Sequence, residues 1–269
     1  MSRPRPVSAD ERLLLAHVLG VPLTRLALVD ELTAGQERRY AELLRRRAEG
    51  IPVQHLTGEA HFRTVTLKVG PGVFIPRPET ESLVGWALQE LAGMQNARVV
   101  ELCAGSGAIS KALATEREGL DLYAVELSEE ALAYATENLA GLGVELRQGD
   151  MAEAFGDLDG TVDLVIANPP YIPLDCWETV PAEVRDHDPE LALFSGADGL
   201  DALRTVAAVA WRLLRPGGLV GAEHAEVQSD AVVELFAATG FAGVSDHLDL
   251  TGRPRFVTGR RPAHGRMAS

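Results

Sequence analysis

The strongest limit on what this chain can fold into is an alternation that begins at Arg98, where short apolar runs are separated by stretches of helical spacing. Runs of strand length fall at 98–102, 121–126, 144–148, 162–167, 217–222, 242–249 and 254–259. Helical patterns lie near 107–116, 128–140, 199–214 and 228–239. Parallel neighbours need a crossover long enough to hold a helix, so this order predicts an α/β fold. The expected architecture is Rossmann-like, a seven-stranded and mostly parallel sheet with helices on both faces. The last two runs have no helix between them, so one of them is expected to lie antiparallel at the edge.

The first part of the chain reads differently. Residues 8–50 are helical, with Leu13, Leu14, Val18 and Leu19 on one stripe, Ser8 as a cap, and Gly50 followed by Pro52 as a stop. Between 57 and 76 the pattern alternates through Phe62, Val65, Leu67 and Val69, with Gly70-Pro71-Gly72 as a turn. This is a hairpin and a natural hinge. The expected organisation is therefore a helical N-terminal domain over 1–56, a β-hairpin linker over 57–76, the α/β domain over 77–260 and a disordered tail over 261–269.

Charge separates these parts and narrows the partners. Of 269 residues, 25 are Lys or Arg and 39 are Asp or Glu, a formal net charge of −14. Nine of the arginines lie in the first 50 residues, so the α/β part is strongly acidic and should repel a polyanion; no direct nucleic-acid binding is expected. Arg38, Arg39, Arg45, Arg46 and Arg47 cluster, either as a solvated helix face or as a docking surface for an acidic protein. Apolar stretches are interrupted well before 18 residues, so no membrane span is expected. Cys103 and Cys176 are too few for a disulfide framework, and the seven histidines show no metal-ligand spacing; a reducing, cytoplasmic setting without a metal is expected.

Two segments carry chemistry. The first strand runs into Cys103-Ala104-Gly105-Ser106-Gly107, whose glycines let backbone approach a ligand, and Glu126 closes the second strand, placed to accept from ribose hydroxyls. The loop lacks the third glycine of a dinucleotide fingerprint, and no P-loop is present. A phosphate-free ligand with an adenosine and a cationic centre, S-adenosyl-L-methionine, suits such a crevice, with Asp150 near its adenine side. After the fourth strand comes Asn168-Pro169-Pro170-Tyr171. A planar amide or aromatic amino nitrogen is a poor nucleophile, because its lone pair is delocalised. It needs both N–H groups held by acceptors and its face aimed at the electrophile. The Asn168 side-chain oxygen and the Pro169 carbonyl are two such acceptors, the prolines make the corner rigid, and Tyr171 can pack against the planar group. These residues alone leave the acceptor open between an amide and a nucleobase amino group.

The whole chain resembles the PrmC/HemK family, the methyltransferases of class 1 peptide chain release factors. The resemblance rests on Gly58–Phe62, Phe74-Ile75-Pro76-Arg77-Pro78-Glu79-Thr80-Glu81, the Glu101–Gly107 loop, Asn168–Ile172, Asp188–Leu193, Gly196–Leu200 and Glu223. It implies a class I S-adenosylmethionine-dependent methyltransferase fold with a helical substrate-recognition domain in front. It also implies N5-methylation of the glutamine in the Gly-Gly-Gln loop of release factors. Carried onto this sequence, Cys103, Ala104, Gly105, Ser106, Gly107, Glu126, Asp150, Met151 and Asn168 would bind the cofactor. Asn168, Pro169, Pro170 and Tyr171 would be catalytic and hold the amide, with Phe74 and Arg77 at the substrate entrance; Arg77 is alternatively a salt bridge between domains. Cys103 stands where the family's loop has its first glycine, and Met151 where an aromatic residue is common. A ribosomal-protein glutamine, a nucleobase amino group and a non-catalytic cofactor-binding module remain as other readings.

Overall fold

The computed structural model describes residues 8–29 and 31–263. Three helices, α1 (Ala9–Leu19), α2 (Ala34–Ala48) and α3 (Val53–Thr57), collect the N-terminal apolar residues. Ser8 caps α1 by accepting from the Glu11 amide, and a Thr33–Gln36 capping box starts α2; both satisfy N–H groups the helices leave unpaired. Leu14, Leu15, Tyr40, Leu43, Val53 and Leu56 form a core of their own, against which Leu13, Val18 and Leu19 are only partly buried.

A hairpin of β1 (Glu59–Phe62) and β2 (Val65–Lys68) follows. Its turn is at Arg63–Thr64, with Arg63 at φ +50°, rather than at Gly70-Pro71-Gly72. The alternation that runs on through Val69 hides a two-residue turn with no glycine in it. The hairpin is tied to the α/β part. The Arg63 guanidinium donates to both Glu116 carboxylate oxygens at 2.8 and 2.6 Å. The buried Asn138 side chain accepts from the Lys68 amide at 2.7 Å and donates to the carbonyls of Lys68 and Ser106, each at 2.9 Å.

Helix α4 (Thr80–Leu91) comes next, unanticipated because Pro76-Arg77-Pro78 reads as punctuation; Leu83, Val84, Ala87 and Leu91 are its buried stripe. Then the alternation delivers β3 (Arg98–Leu102), α5 (Ala108–Glu116), β4 (Asp121–Glu126), α6 (Glu129–Leu139), β5 (Glu145–Gln148), β6 (Val162–Ala167), α7 (Ala182–His187), α8 (Glu190–Leu193), α9 (Asp201–Leu213), β7 (Leu214–Glu223), α10 (Ser229–Thr239), β8 (Ala242–Leu248) and β9 (Pro254–Arg260). The seven-stranded sheet has the order β5-β4-β3-β6-β7-β9-β8. Strand β9 is antiparallel to both neighbours, so the reversed strand lies one place in from the edge. A strand returning straight from β8 can pair with β7 only by turning back between them.

Two cores cover the sheet. Leu83, Val84, Ile109, Leu113, Phe62 and Leu67 belong to one, which therefore includes the hairpin; Leu203, Val206, Ala210, Val232 and Phe236 from α9 and α10 belong to the other. From β3 the chain passes to β4 on one side and later to β6 on the other, which opens a crevice at the carboxyl ends of these strands. At the far end, Arg261 donates its amide to the Gly218 carbonyl at 2.8 Å and its guanidinium to the Leu214 carbonyl, so residue 261 is held on β7. The rest of the expected tail, 264–269, lies outside the described residues. Among the described residues no helix is long and apolar enough to cross a membrane.

Asn138→Ala would leave the Lys68 amide and the Ser106 carbonyl unpaired in a dry place. Urea unfolding should show a loss of roughly 2–3 kcal/mol, with the hairpin amides losing hydrogen-exchange protection first.

Candidate functional site

The crevice is a cavity of about 390 Å³, inside the range of roughly 300–1,000 Å³ usual for small-molecule sites. Its floor is built from strand ends. Strand β3 buries Glu101, which accepts from the Ser110 amide at 2.9 Å and from the Ser110 hydroxyl. The loop after β3 is tied to β4 by a bond from the Ala104 amide to the Val125 carbonyl at 3.0 Å. At the end of β4, Glu126 accepts from the Gly105 amide at 2.7 Å and the Ser128 amide at 2.8 Å. Each carboxylate oxygen thus has one backbone donor and keeps a further lone pair for a ligand.

Cys103, Ala104, Gly105, Ser106, Glu126, Asp150 and Met151 all line the cavity. Gly105 has a φ of +55°, and a Cβ there would meet no protein atom. Gly107 is different. It does not line the cavity; at φ +79° it starts α5, and a Cβ would press on Leu139 at 3.0–3.3 Å. Here it packs closely against Leu139, a position that the loop's spacing does not report. Cys103 occupies the left-handed region at φ +59°, and its Sγ lies 3.4 Å from Met151 Sδ, so the two sulfurs touch.

The other wall is the corner after β6. Asn168, Pro169, Pro170 and Tyr171 line the cavity. Asn168 Nδ2 donates to Thr80 Oγ1 at 3.1 Å, Thr80 Oγ1 donates to Glu223 Oε2 at 2.6 Å, and the Tyr171 hydroxyl donates to Glu223 Oε1 at 3.1 Å. Gln228 Nε2 holds the Tyr171 carbonyl at 2.9 Å. Phe74 and Arg77 stand at the same cavity. Arg77 pairs with the buried Asp188 and lies 5.0 Å from the Phe74 ring centre; both partners of this salt bridge fall within 77–260, so it joins two segments of the α/β part and not two domains. Asp188 also accepts from the Ile75 amide at 3.3 Å.

Thr80, Glu223 and Arg255 complete this wall, and Asp188 stands behind it as the partner of Arg77, four residues to which the sequence assigns no role. Thr80, Asp188 and Glu223 fell in segments already singled out; Arg255 carries no local signal, since only strand pairing brings it near. Of the basic cluster, Arg45 is spent on Glu42 and Glu49, and Arg47 on Asp10 and Glu183 of α7. Among the described residues Arg38, Arg39 and Arg46 have no ion pair.

The electrostatics favour a cationic guest. Burial pushes the Glu101 carboxyl up to about 8, against the pull of Ser110 and with help from Glu126. Burial raises Glu223 to about 7, opposed by Thr80, Arg255 and Tyr171 and supported by Glu79. Glu126 is raised by burial too, restrained by the amides it accepts from. A positive charge among these groups would restore their ionised forms. The Cys103 thiol is raised by burial and then by Glu126, Glu101 and Asp150, which keeps it protonated and inert.

The description "PrmC N-terminal domain" matches residues 6–58, and "Methyltransferase domain" matches residues 99–187. The chain is 52% identical over 255 residues to the release factor glutamine methyltransferase of Streptomyces coelicolor, covering 94% of this chain and 90% of that protein. It is 40% identical over 238 residues to the 4-amino-L-phenylalanine/4-methylamino-L-phenylalanine methyltransferase of Streptomyces pristinaespiralis, covering 86% and 80%. Among solved structures, a methyltransferase from Pyrococcus furiosus superposes with a TM-score of 0.53 at 18% identity, over 84% of this chain and 98% of that one, a likeness of fold.

Raised carboxyls bind protons more tightly in the folded chain than in the unfolded one, so their contribution to stability is complete at low pH and is lost as pH rises. For Glu101 the window runs from the ordinary 4.5 to about 8. The ligand-free protein should lose melting temperature between about pH 5 and pH 8, and Glu101→Gln should flatten that slope.

Proposed function

The chain belongs to the release factor glutamine methyltransferase family, and we propose that it methylates N5 of the glutamine in the Gly-Gly-Gln loop of class 1 peptide chain release factors, with S-adenosylmethionine as donor. One observation carries the reading: the Asn168–Tyr171 corner and the Glu126-anchored loop line a single cavity.

The residues fit the donor. Glu126, fixed by the Gly105 and Ser128 amides, has lone pairs to accept from both ribose hydroxyls. Met151 and Asp150 would hold the adenine side, while Cys103–Ser106 and the buried Glu101 would meet the amino-acid end. When bound, S-adenosylmethionine supplies a methyl group on a positively charged sulfur, open to displacement by a nitrogen lone pair. Asn168 Oδ1 and the Pro169 carbonyl accept the two N–H groups of the substrate amide and turn its face toward that methyl. Pro169 and Pro170 fix the backbone of the corner, and with it the Pro169 carbonyl, before substrate arrives, so little backbone ordering remains to be done on binding. Tyr171, anchored through its hydroxyl to Glu223, walls the amide off from water. The nitrogen becomes acidic once methylated, and its proton passes to water; no side chain is needed as a base.

The helical domain over residues 1–56 serves substrate recognition in this reading, and Arg38, Arg39 and Arg46 give it a basic face for an acidic protein. The acidic body disfavours a nucleic-acid substrate. Release factors act in the cytoplasm, where we place the enzyme. The relative that methylates an aromatic amine gives the second reading a definite form, because that nitrogen is also planar and carries two hydrogens.

Labelled S-adenosylmethionine should be offered with a release factor, a ribosomal protein, single-stranded DNA and 4-amino-L-phenylalanine in separate reactions. Mass spectrometry should find one methyl on the Gly-Gly-Gln glutamine; label on DNA or on the aromatic amine alone would overturn the assignment. Asn168→Ala should lower kcat by about 100-fold or more while cofactor affinity, read by calorimetry, is kept. Glu126→Ala should cost about 1.5–3 kcal/mol of cofactor binding for each charge-assisted bond lost.

A further inference from the structure

An asparagine carboxamide offers an acceptor on one side and two donors on the other, and rotation by half a turn exchanges them with little change of shape. The reaction proposed above needs the acceptor side. If Nδ2 faced the substrate, two N–H groups would oppose each other and the amide would be repelled rather than held. Something must choose between the two orientations, and nothing local to Asn168-Pro169-Pro170-Tyr171 does so: the prolines fix backbone, not the carboxamide's rotation.

We propose that Thr80 and Glu223 are positioning residues, a hydrogen-bonded chain from Glu223 through Thr80 that orients the Asn168 carboxamide so that its Oδ1 faces the acceptor nitrogen. The argument is one of donor and acceptor counting. An ionised carboxylate only accepts, so the Thr80 hydroxyl must donate to Glu223 Oε2 at 2.6 Å. Its single proton is then used, and Thr80 Oγ1 can only accept from whatever lies on its other side. That neighbour is Asn168 Nδ2 at 3.1 Å, which leaves Oδ1 as the group free to accept. The second Glu223 oxygen accepts from Tyr171 at 3.1 Å, so one carboxylate sets both the carboxamide and the phenol.

The anchor is buried with its chain. Glu223 and Thr80 are 1% and 4% exposed, so water does not compete for the direction of these bonds. Four elements face Glu223: Thr80 at the start of α4 with Glu79 just before it, Tyr171 from the corner after β6, Arg255 from β9, and its own strand β7. Arg255 is itself fixed to Asp249 at 3.1 Å, and its charge favours the carboxylate that the chain requires. Protonation of Glu223, near pH 7, would turn the acceptor-only end into a donor and release the choice.

This inference rests on the role given to Asn168 above, but one of its tests does not need turnover. The chain contains three asparagines, Asn96, Asn138 and Asn168, so a ¹⁵N-asparagine label gives a side-chain amide spectrum that Asn168→Ala assigns. In the wild-type protein the Asn168 NH₂ pair should be shifted and slow to exchange. Thr80→Val, which keeps the shape and removes the hydroxyl, should abolish that protection, and Thr80→Ser should restore it. With saturating cofactor, Thr80→Val should lower kcat at least tenfold while cofactor affinity changes less than threefold, and Thr80→Ser should recover most of the rate. Wild-type kcat should fall on the acid side of pH 7, because the bound cation draws the Glu223 carboxyl below its ligand-free position, and Glu223→Gln, whose amide oxygen can still accept from Thr80, should lose that limb. An Asn168 signal unchanged by Thr80→Val, or a Thr80→Val kcat within twofold of wild type, would overturn the proposal. So would an acid limb that survives Glu223→Gln. A wild-type enzyme that labels no release factor yet shows the protected Asn168 signal would refute the function and keep the chain.

Discussion

Acidic groups concentrated where the strands of a parallel sheet end are held there against the cost of dehydration, and the rest of the site depends on how that cost is met. Glu101, Glu126 and Glu223 sit at the carboxyl ends of β3, β4 and β7, and all three are buried. Each is held by donors the fold provides: Ser110 for the first, two backbone amides for the second, Thr80 and Tyr171 for the third. Such donors favour the charged form but do not cancel the loss of water, so the carboxyls remain raised. A cavity of this kind is tuned for a ligand that brings positive charge, and a sulfonium does.

The hairpin and the N-terminal helices take part in this arrangement. Asn138 joins the β2 backbone to the Ser106 carbonyl of the loop after β3, so the segment that links the two parts of the chain also braces that loop. Arg47 of α2 reaches Glu183 on α7, and His55 of α3 lies edge-on to His187 at 6.2 Å. The stretch between Tyr171 and Leu193, which closes over the corner, is therefore fastened from the side of the helical domain.

Local pattern accounts for much of the fold. Strand-length apolar runs ending in Leu102, Glu126 and Ala167 are half of a switch point by themselves, because right-handed crossovers leave few ways to lay them side by side. It failed at three places for identifiable reasons. The hairpin turn at Arg63–Thr64 uses no turn-forming residue. Helix α4 follows two prolines that suggest a loop. Strand β9 goes between β7 and β8, a matter of pairing partners that a run of apolar residues does not encode. At the site, Gly107 shares the loop's glycine pattern but supports Leu139 instead of facing the cavity.

What the amino-acid order determined alone was the chemistry on offer: a rigid Asn-Pro-Pro-Tyr corner after a buried strand, an acidic residue, Glu126, closing an earlier strand of the alternation, and an excess of negative charge. Those properties reside in neighbouring residues, whose spacing along the chain is their spacing in space. What only the tertiary structure decided was which way the Asn168 carboxamide faces. Thr80 lies 88 positions before Asn168 in the chain and Glu223 lies 143 after Thr80. They meet because α4 packs over β7 beside the end of β6. A hydrogen bond needs its partners within about 3 Å, and no pattern along the chain reports a distance set by the packing of a helix on a sheet.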